Sequence, residues 1–406
     1  MCFVTVPHPL GMISKEEVNA KVDAAFDDIV KAATAWTPSK EKQDAQVKPY
    51  PAKRFKFSGT YADVNDMFQK RKWSLSLPIV PPTVDKVAAM LKGTKRNPAE
   101  VLWVVPPRQG MLTVELVAAL GVMAGAKPEH MPLLIATVEA MADPVAAWRG
   151  PTTTTAATVP VFFISGPIIE KLKLNPGTGT AGGENPVTNA LGYFVNLVGD
   201  MVGGSVPPNF DKSTHGSSAD LVAMVFTENA KENPWKTTYA EEAGFKPGDS
   251  IVTHFSAYLG NANIDHDSKT GQRLLTTLST GLLGSASGLA SCLADYDASY
   301  AINNKVSFAF IVLCPEHAAT IAKDFPDQRA ARDFMRETAA MPYKFYSQET
   351  CVPGKDFGPY DENTFIPRFK KTESIKFFVS GGPGKQSQIW VPFPQVFKPV
   401  SKKIAE

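Results

Sequence analysis

Cysteine is scarce in this chain: four residues, at positions 2, 292, 314 and 351 of 406. Cysteines so few and so far apart build neither a disulfide framework nor a Cys-x-x-Cys metal site, and a reducing, cytoplasmic setting is the expectation. Histidine is also sparse, six in all. None shows His-x3-His or His-Glu-x2-His spacing, so no metal is expected. No apolar run reaches the roughly 18–20 residues that cross a bilayer, so no membrane span is expected. Residues 1–12 lack a basic stretch followed by an apolar one, which argues against a secretory leader. Neither sign of charge is in excess. The 42 basic and 40 acidic residues leave a formal +2, so nucleic acid is not an expected partner. No internal repeat is visible.

Proline and glycine are plentiful instead, at 33 and 29 residues, and they concentrate in a few loops. Hydrophobic residues, 44% of the chain, leave ample material for a core. Residues 2–7 read as a short strand, and His8-Pro9-Leu10-Gly11 as a turn. Ser14 then caps a helix whose Val18, Val22, Ala25, Phe26, Ile29 and Val30 share one face. Lys-rich residues 37–58 read as a linker. Beyond it, strands are expected near 102–105, 159–164, 221–226, 250–255, 306–313 and 375–379. Helices are expected near 61–72, 84–92, 113–124, 131–141, 187–202, 273–283, 318–323 and 328–338. This alternation gives an α/β fold with a mixed sheet core and flanking helices. The expected organisation is a strand-helix appendage over 1–36, the linker, and a main domain over 59–406. Two lobes would divide it near 205–220.

Four apolar strands run into loops of Gly, Pro and one or two polar residues. These are Pro106-Pro-Arg-Gln-Gly110, Ser165-Gly-Pro167, Cys314-Pro-Glu-His317 and Ser380-Gly-Gly-Pro-Gly-Lys-Gln-Ser387. In open α/β sheets ligands bind outside the carboxyl ends of strands, and glycine lets amides approach an anion closely. Four such loops converging would make a small-molecule pocket. The bland alternative is that strands end in turns, and turns use these residues.

Within the pocket reading, Arg108, Lys385 and the amides of Gly381 and Gly382 hold an anionic head group. Ser165 and Trp235 complete the substrate-binding set. Glu115, His215, Glu228 and His317 are the candidates for proton transfer. Cys314 and His317 also have the spacing of a nucleophile pair; the alternative is a strand-end Cys before a helix whose Glu316 suits the dipole. Asp265-His266-Asp267 reads as a cation loop or a solvated one. Cys292 reads as buried and inert. Gly177-x-Gly179-x-x-Gly182 follows Asn175-Pro176 rather than a strand, so it does not read as a dinucleotide fingerprint. No cofactor can be named.

Several segments resemble the large domain that accompanies selenocysteine-Gly-Ser-Cys-type redox proteins, which are distantly similar to the selenoprotein subunits of glycine and proline reductases. They are Leu77-Pro-Ile-Val-Pro-Pro-Thr83, Pro106-Pro-Arg108, Gly121-Val-Met-Ala-Gly125 with Pro128-Glu129, and Ser165-Gly-Pro-Ile168. Glu228-Asn229 with Pro234-Trp235, Pro315-Glu-His-Ala318 and Gly381-Gly-Pro-Gly-Lys385 follow in the same order. The resemblance covers roughly residues 60–400. Val4-Thr-Val-Pro-His-Pro-Leu-Gly11 resembles the tail of the redox module, whose Cys-Gly-Ser-Cys motif is absent here. Lys72-Trp-Ser-Leu-Ser-Leu-Pro78 stands where the family has Gly-Trp-Thr-Asp-Gly-Leu-Pro, and Gln386 where it has His.

The expected function is therefore an enzyme for a small organic substrate with a polar or anionic head. Its chemistry would be acid–base lyase or cyclase chemistry, or C–X bond-cleaving redox chemistry. The alternative is a non-catalytic subunit that stabilises a thiol-redox partner. Homo-oligomers and heteromers with a redox module both fit.

Overall fold

The computed structural model describes residues 4, 6–7, 13–35, 50–183, 185–207, 211–212, 214–258, 260–284, 308–346, 361–393, 396 and 398–405. The chain divides into two units, Met1–Lys48 and Pro49–Glu406. In the first, α1 (Lys15–Thr34) starts at a capping box. Ser14 Oγ accepts from the Glu17 amide at 3.2 Å, and the Glu17 carboxylate accepts from the Ser14 amide at 2.9 Å, which satisfies two orphan donors of the first turn. Val22, Phe26, Ile29 and Val30 on this helix are exposed. The strand expected over 2–7 lies largely outside the described residues, as do the turn at 8–11, residues 37–49 of the linker and Cys292. Residues 50–58 belong to the second unit.

That unit carries ten helices among its described residues: α2 (Tyr61–Lys70), α3 (Val84–Leu91), α4 (Val114–Met123), α5 (Met131–Ala142), α6 (Ile168–Lys171), α7 (Pro186–Leu197), α8 (Tyr239–Glu242), α9 (Gly271–Gly284), α10 (Pro315–Asp324) and α11 (Gln328–Thr338). Two strands, β1 (Val101–Val105) and β2 (Gly110–Thr113), form a hairpin. The core strands are β3 (Val159–Ser165), β4 (Met224–Thr227), β5 (Ile251–Ala257), β6 (Asn261–Ile264) and β7 (Ala309–Leu313). After a small hairpin of β8 (Ala340–Pro342) and β9 (Phe365–Pro367) come β10 (Ile375–Val379), β11 (Gln386–Trp390) and β12 (Val400–Lys403).

The core strands make two four-stranded sheets, β4-β3-β5-β12 and β10-β7-β11-β6. Their internal plan is the same. A parallel pair (β3 with β4; β7 with β10) is followed by two antiparallel partners. Glu228 donates its amide to Ile164 O at 2.9 Å, and Ser380 donates to Leu313 O at 3.0 Å at the matching place. The second unit is thus a topological duplication, although no repeat is legible in the sequence. The outermost strands are exchanged: β6 follows β5 but completes the second sheet, and β12 follows β11 but completes the first. Because strands after residue 220 pair with β3, and β12 returns to β5, the sheets do not divide near 205–220.

Strand alternation explains how the sheets pack. Val161 and Phe163 on β3, Phe310 and Val312 on β7, and Phe378 on β10 meet in one cluster between the sheets. Phe163 stacks on Phe310 with ring centroids 4.4 Å apart. Each fully buried Phe contributes on the order of 1.5–3 kcal/mol. The opposite faces carry Phe162 and Ile164 into a cluster with α4, α5 and α7, and Ile311 and Leu313 into one with α9, α10 and α11. Helices therefore cover both outer faces, and the α/β expectation holds. No described helix is long and apolar enough to cross a membrane.

Candidate functional site

The carboxyl ends of β3, β4, β7 and β10 come together where the two sheets meet. Asn229 donates its amide to Val379 O at 2.8 Å, and its side chain donates to Gly381 O at 3.1 Å. Ser380 Oγ donates to Thr227 O at 2.7 Å. Three of the four expected loops, those at 165, 314 and 380, border this junction. The fourth does not: Pro106 to Gly110 is the turn of the β1–β2 hairpin, and Arg108 there donates its amide to Gly203 O at 2.9 Å.

Much of the expected anion cradle is filled from within the protein. The Glu316 carboxylate accepts from the amides of Gly384 at 2.6 Å and Lys385 at 3.0 Å, which holds its carboxyl below the usual range. Lys385 Nζ donates to His266 O at 2.9 Å. Gly381 donates to Pro176 O at 2.8 Å, and Gly382 packs on Thr178, leaving no room for a Cβ. The glycines here serve close loop packing.

Ser165 and Glu228 meet in full burial. Ser165 Oγ–H donates to one Glu228 oxygen, and the other accepts the Tyr239 amide at 2.7 Å. Ser165 Oγ accepts in turn from the Ala240 amide at 3.2 Å. Burial pushes Glu228 up to about 7, against these hydrogen bonds, which act to lower it. The pair ties the start of α8 to the ends of β3 and β4.

The position that matches Ser165 in the second sheet is Cys314, and its chemistry differs. Cys314 stands at the N-cap of α10 with Pro315 as the first helical residue. His317, one turn on, shares Ser387 Oγ with the Cys314 amide. Burial alone would raise the thiol; the His317 side chain and the amides of His317 and Gln386 override this and lower it. Burial likewise opposes the imidazolium, yet Cys314 and the Asp265 carbonyl raise His317. Both shifts favour a thiolate–imidazolium pair. His317 Nε2 lies 3.1 Å from Asp265 O, a pure acceptor, so that nitrogen carries hydrogen. Ser387 Oγ lies 2.8 Å from Nδ1 and accepts from the Cys314 amide at 3.4 Å. Cys314 keeps 6% of its surface exposed.

Other expected site residues lie elsewhere or serve the fold. Glu115 is buried and accepts from the Ala52 amide at 2.8 Å and Arg54 at 3.1 Å, which ties residues 52–54 to α4. Trp235 donates Nε1–H to Phe325 O at 3.0 Å and packs on Phe377. His215 is exposed, beside Thr214, which is bonded to Thr155 O. The Asp265 carboxylate caps its own turn through Ser268 and accepts from the Thr277 hydroxyl on α9. Among the described residues, no group of three or more His, Cys, Asp or Glu is arranged to hold a metal ion.

Two features escape sequence reasoning. One is a buried acidic group: Asp200, pushed up to about 8 by burial and by Asp211 and Asp220 against Lys212, with Asp211 paired to Lys212. Asp200 sits in a π-turn, Val198–Val202, at the end of α7. Adjacent Asp211 and Lys212 in a Gly/Ser loop were the one available signal. The other is a cleft of about 650 Å³ lined by Trp103, Met141, Trp148, Arg149, Thr153 and Phe393 among others. It lies near the start of β3, since Phe393 bonds Ser256 O and Val159 pairs with Ala257. Seven-residue β3 separates it from Ser165 by about 20 Å at about 3.3 Å per residue.

Comparison with protein-family models, with curated proteins and with solved structures finds no match to this chain.

Proposed function

We propose that this protein is a thiol-dependent enzyme that cleaves a carbon–heteroatom bond in a small organic substrate, with Cys314 as nucleophile and His317 as its proton partner. The observation that carries this reading is the placement of Cys314 at the N-cap of α10, one turn before His317, with Ser387 Oγ bonded to both the Cys314 amide and His317 Nδ1; the amides, the helix dipole and His317 all favour the thiolate. In the reacting step, the Cys314 sulfur bonds to the electrophilic carbon as the bond to the leaving atom breaks. The proton held on His317 passes to the leaving atom; water then cleaves the carbon–sulfur bond of the acyl intermediate, which frees the thiolate and returns a proton to His317. Asp265 O fixes the ring orientation, and Ser387 spans the Cys314 amide and His317 Nδ1.

Of the two chemistries expected from the sequence, this favours C–X bond cleavage. A lyase or cyclase built on Glu228 has less support, because its buried carboxyl ties the start of α8 to the ends of β3 and β4. The resemblance to domains of thiol-redox proteins also favours sulfur chemistry, although the redox motif itself is missing. The test is turnover of activated esters by the full chain, with intact-mass detection of the acyl adduct. Adduct and turnover are expected to vanish in Cys314→Ala and to survive Ser at the other three cysteines. Turnover persisting with all four cysteines replaced would sink the proposal.

One observation favours a second reading, a subunit that binds a thiol-redox partner. The apolar stripe Val22, Phe26, Ile29 and Val30 of α1 is exposed, as an amphipathic docking helix would be. Native mass with and without residues 1–35 separates the two.

A further inference from the structure

We propose that the cleft beside the start of β3 is a second ligand site, built for an aromatic monocarboxylate and independent of Cys314. Its volume, about 650 Å³, falls in the range of about 300–1,000 Å³ typical of small-molecule sites. The apolar side is aromatic. Trp103 and Trp148 stand edge to face with centroids 5.8 Å apart, and Phe393 and Met141 line the same cleft. Rings in this arrangement present faces and edges on which a further planar ring stacks favourably.

Charge selects the head group. Arg149 lies in the lining and is exposed. Among the described residues, its guanidinium has no ion pair or side-chain hydrogen bond. The carboxylate in the lining, Asp143, is neutralised by Lys402 Nζ at 2.7 Å. One guanidinium pairs with one carboxylate, in bidentate geometry. Among the described residues no lysine lines the cleft, so a doubly charged phosphate would be only half compensated. Trp148 itself is buried, and its Nε1–H is closed off from the cleft. Behind it His254, fully buried and outside the lining, donates Nδ1–H to Val161 O at 3.1 Å and sets its ring 5.6 Å from that of Trp148.

The test titrates 2-naphthoate into the full chain, followed by tryptophan fluorescence and calorimetry. Saturable one-to-one binding is expected. Arg149→Gln, an exposed change that leaves the fold intact, should weaken it at least tenfold. Neutral naphthalene-2-carboxamide and non-aromatic cyclohexanecarboxylate should each bind the unaltered chain at least tenfold more weakly. Cys314→Ser should bind 2-naphthoate as the unaltered chain does, so this result stands or falls apart from the thiol chemistry. The proposal is overturned if 2-naphthoate fails to bind at millimolar concentration, if Arg149→Gln binds it equally well, or if Cys314→Ser abolishes binding.

Discussion

Replacing Glu228 by Gln separates a structural carboxyl from a catalytic one. Gln keeps the shape and an oxygen for the Tyr239 amide, and it removes the titration. Burial sets the Glu228 carboxyl at about 7 in the folded protein, against an ordinary 4.5. A carboxyl raised in this way stays protonated in the folded state while the unfolded chain ionises. Its contribution is therefore fully present below pH 4.5 and is lost as pH rises through 7. The rise from 4.5 to about 7 corresponds to about 3.5 kcal/mol at about 1.4 kcal/mol for each tenfold change in proton affinity. Asp200 is shifted the same way, so the unaltered chain alone cannot isolate Glu228; the difference from Glu228→Gln can. The assay is urea unfolding of both proteins at pH values from 4 to 8. At a urea dependence of about 3 kcal/mol per molar, the midpoint gap should change by about 1 M in favour of the variant. Parallel curves across that range would refute the buried, neutral carboxyl. Glu228→Gln should also retain turnover in the Cys314-dependent reaction; its loss with intact folding would return Glu228 to the catalytic set.

Further outcomes are expected from the same geometry. Glu115→Ala strands the Ala52 amide and Arg54, and should lower stability by about 1–3 kcal/mol without altering Cys314 reactivity; unchanged urea midpoints would contradict it. Arg332 holds Glu242 in a two-point pair, with Lys376 at 3.2 Å beside it. Arg332→Met should cost toward the lower end of about 3–5 kcal/mol, because Lys376 remains; denaturation at neutral pH checks this. Ser387→Ala removes the hydroxyl between His317 and the Cys314 amide. It should raise the pH at which Cys314 becomes reactive and slow alkylation at pH 7, with no change in 2-naphthoate binding.

The strands legible in the sequence were those covered on both faces. β3, β7 and β10 carry apolar residues on both sides because one side meets the other sheet and one meets helices. β6, β11 and β12 carry Asn, Gln, Ser and Lys, and no apolar run announces them. Gln386 and Ser387 read as loop for this reason. The exchange of β6 and β12 between sheets leaves no local mark, since it concerns pairing and not propensity. At the site, Cys314 and His317 were legible from their spacing, because residues three apart on a helix lie on one side. Their partners Ser387 and Asp265 O come from segments 70 and 52 residues away, and local pattern cannot reach that far. Glu316 shows the reverse failure. It was read as a favourable helix-start charge, while its distant role is to occupy the Gly384 and Lys385 amides.

The most direct test of the central claim is the pH dependence of Cys314 alkylation by iodoacetamide, measured in a chain with Ser at positions 2, 292 and 351. The account expects the rate to inflect below the ordinary thiol value of about 8.5, and to inflect at higher pH in His317→Asn. An inflection at or above that value, unmoved by the His317 substitution, would contradict it.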